Sequence, residues 1–163
     1  MGQFNFSELG KKIAIETIAS ERLQLLVTGM ADAFGLEIED VTVMEETNGV
    51  LVFRHPKALS KSTVPITLKS VAGQTFKNNK VYVYNNLNEI QHVELFEQFV
   101  RKEGGALPIQ RMISCPIPGK NSPRGVLQAC RKGKSRDNAD PFTRADTDTM
   151  ISLAKLAGAY LWK

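Results

Sequence analysis

Two thiols, two imidazoles and a group of aromatic side chains are what this 163-residue chain offers for chemistry. Cys115 and Cys130 stand outside any Cys-x-x-Cys arrangement, and in a reducing compartment they read as free thiols on strands. If a hairpin turn centres on residues 120–123, residues whose numbers sum to about 245 face each other, as Cys115 and Cys130 do. Opposed thiols in that register approach disulfide distance and support redox chemistry, whereas one slip separates them. The alternative is two small buried apolar side chains. His55 and His92 lie far apart and lack an acidic or Cys partner at ligand spacing, so no metal site is expected. Neither imidazole sits in a motif that would activate a Ser or Cys, and no Gly-x-Ser-x-Gly elbow occurs. Gly125-Val126-Leu127 lacks the glycine spacing and Lys-Ser/Thr ending of a phosphate loop. These absences argue against an enzyme.

The aromatic group reads differently. Phe76, Tyr82, Tyr84, Phe96 and Phe99 fall in the middle segments, and aromatic walls with a few polar groups suit a small planar ligand. They are the candidate ligand-binding residues, with core packing as the other role open to each. The run Arg131-Lys132-Gly133-Lys134-Ser135-Arg136 is the densest basic cluster in a chain of net charge +4. Nucleic-acid binders pair such a cluster with a basic face or stacking aromatics, whereas Asp137 and Asp140 dilute this one. A solvated loop rather than a nucleic-acid partner is therefore expected, with an anion-binding patch as the alternative.

The elements that must position these groups follow from periodicity. Residues 7–34 read as one long helix, with Leu23, Leu26, Val27, Met30 and Phe34 on one face and Gly35 as its stop. Ile15, Ile18 and Leu25 widen the apolar surface beyond one stripe, which suggests a second contact. Strands are expected at 39–45 and 49–54 around an Asn48-Gly49 turn. A loop with room for a short strand follows to Thr67, then a short helix capped by Ser70 and a strand at 81–84. A helix is expected at 89–102, then strands at 109–118 and 124–132. Thr143 and Asp146 open the last helix as a capping box. Strand runs between terminal helices imply an α+β domain.

Four short motifs in this order resemble those of the GAF domain, the small-ligand sensor module of signalling proteins. Ser70-Val71-Ala72-Gly73 is similar to its Ser-x-Ala-Gly at a pocket-side helix, and Ser114-Cys115-Pro116-Ile117 to its Val-Pro-Leu-type strand. Gly125-Val126-Leu127-Gln128 resembles the Gly-Val-Leu strand, and Phe142-Thr143-x-x-Asp146 the start of the last helix. The resemblance spans roughly residues 20–162. It implies an antiparallel, PAS-related sheet with terminal helices on one face and pocket-forming short helices on the other. It also implies an ion pair between Lys132 and Asp146 beneath the intervening loop. Three branches of the family fit poorly. Arg131-Lys132 and Asp146-Thr147 stand where cyclic-nucleotide binders carry Asn-Lys and Asp-Glu. No Cys occupies the chromophore position of bilin binders, and two strand cysteines do not reproduce the set used by free-methionine-sulfoxide reductases.

The composition, 42% apolar and 23% charged, is that of a single globular domain. Residues 1–19 form a helical extension and 20–163 the GAF-like domain. The start shows no signal peptide and no segment approaches the roughly 20 apolar residues of a membrane span, so a cytoplasmic, non-membrane protein is expected. The expected function is a non-catalytic small-molecule sensor or signal-transduction module, dimeric through its terminal helices, with no nameable cofactor. Its ligand is unidentified, and its output goes to a partner protein in trans. The alternatives are a dimerisation or adaptor protein without ligand, and a thiol-redox protein.

Overall fold

A computed structural model describes residues 3–87 and 107–163. The helical segment expected over residues 7–34 is two helices, α1 (Phe6–Ile15) and α2 (Ala19–Phe34). Glu16 makes the break. Its Oε1 accepts the backbone N–H groups of Thr17 and Ile18 at 3.0 and 3.1 Å, satisfying donors that an uninterrupted helix would use internally. α1 then folds back along α2, with Leu9 resting on Gly29, where a Cβ would stand only 2.6 Å from Leu9 Cδ2. The second apolar stripe of α2 is therefore covered largely by α1 of the same chain. Arg22 locks the joint, donating from Nε to Leu161 O at 3.1 Å and from Nη1 to Glu16 O at 3.1 Å.

Gly35 ends α2 at φ +66°. A 3₁₀ turn (Ile38–Asp40) leads into β1 (Val41–Thr47), which turns through Asn48 and Gly49, at φ 54° and 83°, into β2 (Val50–His55). Both positive angles are those of a tight hairpin. β3 (Thr63–Pro65) is the short strand for which the loop left room. α3 (Val71–Asn78) and β4 (Tyr82–Tyr84) follow. β5 (Ile109–Ile117), β6 (Gly125–Lys132) and α4 (Arg144–Leu156) complete the set, and α4 runs on into a π-helical turn (Ala157–Leu161). The helix expected at 89–102 lies outside the described residues.

Among the described residues the strands form one antiparallel sheet in the order β3-β2-β1-β6-β5-β4. Its alternation divides two cores. Val41, Val43, Ile113, Cys115, Ile117, Leu127 and Ala129 meet Ile13, Leu26, Met30, Met150 and Leu153 of the helices on one face. Met44, Leu51, Phe53, Met112, Val126 and Cys130 meet Val71 and Ala72 of α3 on the other. Terminal helices on one face and a short helix on the other are the α+β arrangement expected. Among the described residues no helix is long and apolar enough to cross a membrane.

Candidate functional site

Three of the five expected aromatic residues, Phe76, Tyr82 and Tyr84, lie on the α3 side of the sheet. Ser70 Oγ accepts the Gly73 N–H at 2.9 Å and opens α3. A Cβ on Gly73 would lie 2.2 Å from Thr67 O, so glycine lets the start of α3 press against the chain after β3. On β4 the side chains alternate. Val83 is exposed, while Tyr82 and Tyr84 pair with Ser114 and Met112 and share their face. The two rings stack with centroids 6.2 Å apart and planes 7° from parallel. Asn78 Nδ2 donates to Tyr82 OH at 2.7 Å, and Tyr84 OH donates to Gln74 Oε1 at 3.2 Å, tying the edge strand to α3. Phe76, half-buried, packs on the same core. Phe96 and Phe99 lie outside the described residues.

Beneath this wall lies a feature that periodicity does not reveal. Thr42, Gln128 and Ser114 are register partners across β1, β6 and β5, and each is fully buried. Thr75 of α3, also fully buried, places Oγ1 2.7 Å from Ser114 Oγ and donates to Val71 O at 2.7 Å. Gln128 Nε2 donates to Ser114 Oγ at 3.1 Å. The far end of the row is unsatisfied, since Gln128 Oε1 and Thr42 Oγ1 have no hydrogen-bond partner among the described residues. A buried polar group left unpaired costs about 1–3 kcal/mol, so folded chains rarely keep two side by side. The available signal was a lone polar residue inside each apolar strand, Gln128 in Gly125-Val126-Leu127-Gln128-Ala129-Cys130 and Ser114 in Met112-Ile113-Ser114-Cys115.

The expected opposition of the cysteines is not found. Cys115 faces Leu127 and Cys130 faces Met112, because the hairpin closes at Ile117 and Gly125. The two thiols therefore belong to different cores on opposite faces of the sheet. Both are reduced and buried, and burial pushes the Cys115 thiol up to about 12. Diamide treatment of the native protein should give no intramolecular disulfide, and thiol reagents should react only as the fold opens. Recovery of a Cys115–Cys130 disulfide by mass spectrometry would refute this arrangement.

The expected Lys132–Asp146 pair is also replaced. Neighbouring residues on β6 point to opposite faces, so Arg131, not Lys132, turns toward α4. Arg131 Nη1 lies 3.5 Å from Asp146 Oδ2, and its guanidinium sits 4.3 Å from the centre of the Phe142 ring. Lys132 Nζ instead lies 2.6 Å from Oδ1 of the buried Asp40. That contact is a charge pair largely shielded from solvent. The capping box stands as expected: Thr143 N–H donates to Asp146 Oδ2 at 2.8 Å, and Asp146 N–H donates to Thr143 Oγ1 at 3.2 Å. Two members of the basic run are thus held by carboxylates.

His55 serves structure. Its Nε2 lies 2.8 Å from Ile38 O, joining the end of β2 to the 3₁₀ turn before β1. Burial lowers its pKa below 6.5, outweighing the Ile38 hydrogen bond and the Glu39 charge, which raise it. The unfolded chain thus takes up this proton first. His55 contributes stability that is fully present above about pH 6.5 and is lost as pH falls through the unfolded and then the folded pKa. Stability measured by urea from pH 7.5 to 5.5 should fall, and His55→Gln should flatten that fall. An unchanged pH profile in the variant would overturn the assignment. Among the described residues no three His, Cys, Asp or Glu side chains converge as a metal site.

No protein-family model matches the chain, and no curated protein matches it. Solved structures do. The GAF domain of an Acinetobacter phosphoenolpyruvate-protein phosphotransferase aligns with TM-score 0.71 and 13% identity, over 96% of this chain and 89% of that one. Residues 122 to 287 of a methyl-accepting chemotaxis protein align at 0.70 and 18%, over 94% of each chain. Free methionine-R-sulfoxide reductase from Neisseria meningitidis, in complex with its substrate, aligns at 0.69 and 19%, over 96% of this chain and 85% of that one. The chain has the GAF-domain fold. Proteins of signalling and an enzyme share that fold, so the fold alone does not select between them.

Proposed function

We propose that the chain is a small-molecule sensing module whose ligand sits between the sheet and α3. Phe76, Tyr82 and Tyr84 would wall the site; the other two candidates, Phe96 and Phe99, lie outside the described residues. The observation that carries this reading is a pair of buried oxygens without a partner among the described residues, Gln128 Oε1 and Thr42 Oγ1, on the same face as the tyrosines. Polar groups retained at a cost in stability are characteristic of sites where function opposes folding. Thr42→Val should therefore leave the unliganded protein as stable or stabilise it by up to about 1 kcal/mol. Native mass spectrometry for a retained compound, then thermal shift with a metabolite library, tests the site. A binder should raise the melting temperature of the wild type and not of Thr42→Val. Equal responses in both would remove the site.

The module would work in the cytoplasm without catalysis and signal to a separate protein, with residues 1–19 as an extension of the sensor domain. The thiol-redox alternative loses its support, because its two cysteines face opposite cores. A homodimer through the terminal helices is part of the proposal. Ile15 and Ile18, 80% and 57% exposed, stand at the α1–α2 joint near a groove lined by Leu23, Leu161 and Trp162. A two-fold axis there would seat the isoleucines of each copy in the groove of the other. Light scattering should give a dimer that Ile15→Asp with Ile18→Asp converts to folded monomer. A wild-type monomer at micromolar concentration would exclude it.

A further inference from the structure

We infer that the ligand of this site presents a hydrogen-bond donor, an N–H or O–H group, because the protein fixes Gln128 with its carbonyl oxygen as the open end of the polar row. This rests on the ligand-site reading above and adds the class of molecule that the site selects. Thr75 has one hydroxyl proton and gives it to Val71 O at 2.7 Å. In the 2.7 Å contact between Thr75 Oγ1 and Ser114 Oγ, Ser114 must then be the donor. With its only proton committed, Ser114 can only accept from Gln128, so the group 3.1 Å away is Nε2 and not Oε1. The direction of the chain is set at the α3 backbone and transmitted through two hydroxyls to one amide. Oε1, an acceptor without donor capacity, is left facing the ligand.

The second open group fits the same partner. Thr42 stands opposite Gln128 in the β1–β6 register, and its hydroxyl can accept from the same ligand group or donate to a neighbouring atom. The described groups on this face do not favour an anion. The fully buried polar side chains on this face are neutral, and Lys132 at its margin is held by Asp40. A carboxylate or phosphate would meet the lone pairs of Gln128 Oε1 with no buried cation on this face to offset them among the described residues. A compact neutral amide over the open end of the row, on β6 and β1, would satisfy both orphan oxygens.

Matched acid and amide probes test this: nicotinamide against nicotinate and benzamide against benzoate, titrated by NMR at millimolar concentration. In the wild type each amide should bind at least about tenfold more tightly than its acid, a difference of roughly 1.4 kcal/mol. Thr75→Val frees the Ser114 proton to turn to Gln128 Oε1 and lets the amide reverse. The preference should then shrink to about threefold or less, a change that lost packing alone would not produce. Circular dichroism confirms that the variant is folded, and Gln128→Leu should lose both probes. Acids binding as well as amides to the wild type, or an unchanged preference in Thr75→Val, would overturn this inference and leave the ligand site standing. Failure of every probe to bind the wild type would overturn the inference and the site reading together.

Discussion

Gly125→Ala is expected to cost about 3 kcal/mol or more of stability, at the upper end of what overpacking in a closed interior does. An added Cβ would stand 1.9 Å from Met44 O and 3.2 Å from Glu45 Cα. Both obstacles are backbone, so no side-chain rotation relieves them. β1 and β6 are the two central strands of the sheet, and parting them there disturbs both cores at once. Urea unfolding should show a large fall in midpoint with the slope little changed. A loss below about 0.5 kcal/mol would mean that Glu45 and Gly125 are not opposed as described.

Lys132→Met is expected to cost about 3 kcal/mol, far more than an exposed pair would. Only 16% of the Lys132 side chain and 8% of the Asp40 side chain are exposed, so the variant leaves a carboxylate buried without its counter-charge. Asp40 keeps a second contact, since Oδ2 accepts the Glu37 N–H at 3.2 Å and closes the 3₁₀ turn. Adding Asp40→Asn should recover much of the loss, because it removes the stranded charge and spares the turn. The cycle should give a coupling of at least about 1 kcal/mol, whereas Lys132→Met and Asp146→Ala should add independently. Coupling between Lys132 and Asp146 instead would restore the pairing that the family resemblance implied.

The contrast between those two pairings shows where sequence reasoning reaches and where it stops. Signals written in a few consecutive residues were legible: Gly35 after α2, Asn48-Gly49 between β1 and β2, Ser70 before α3, and Thr143 with Asp146 before α4. Each acts through its own backbone and needs no knowledge of the rest of the fold. What failed depended on side-chain direction at long range. The difference between Arg131 and Lys132 is one step of strand alternation, and the expected opposition of Cys115 and Cys130 missed the true closure of the hairpin by a few residues. The break between α1 and α2 comes from a single carboxylate turned onto two amides, which hydrophobic period does not register. Of the candidate site, Phe76, Tyr82 and Tyr84 were visible as aromatics. Thr42, Ser114, Thr75 and Gln128 were not, because periodicity carries no sign that polar residues so far apart in the chain share one buried row.

The placement of the two cysteines on opposite faces has an experimental consequence. Each core holds one thiol, so the molecule carries its own pair of reporters for partial unfolding. Cys115 becomes reactive when the helical layer of α1, α2 and α4 lifts from the sheet, and Cys130 when the α3 side opens. The two openings need not have the same free energy, since local and sub-global unfolding within one domain spans a wide range. Native-state thiol labelling, residue by residue, would measure both layers in one sample. A bound small molecule that slowed labelling at Cys130 more than at Cys115 would reveal which side of the sheet it occupies.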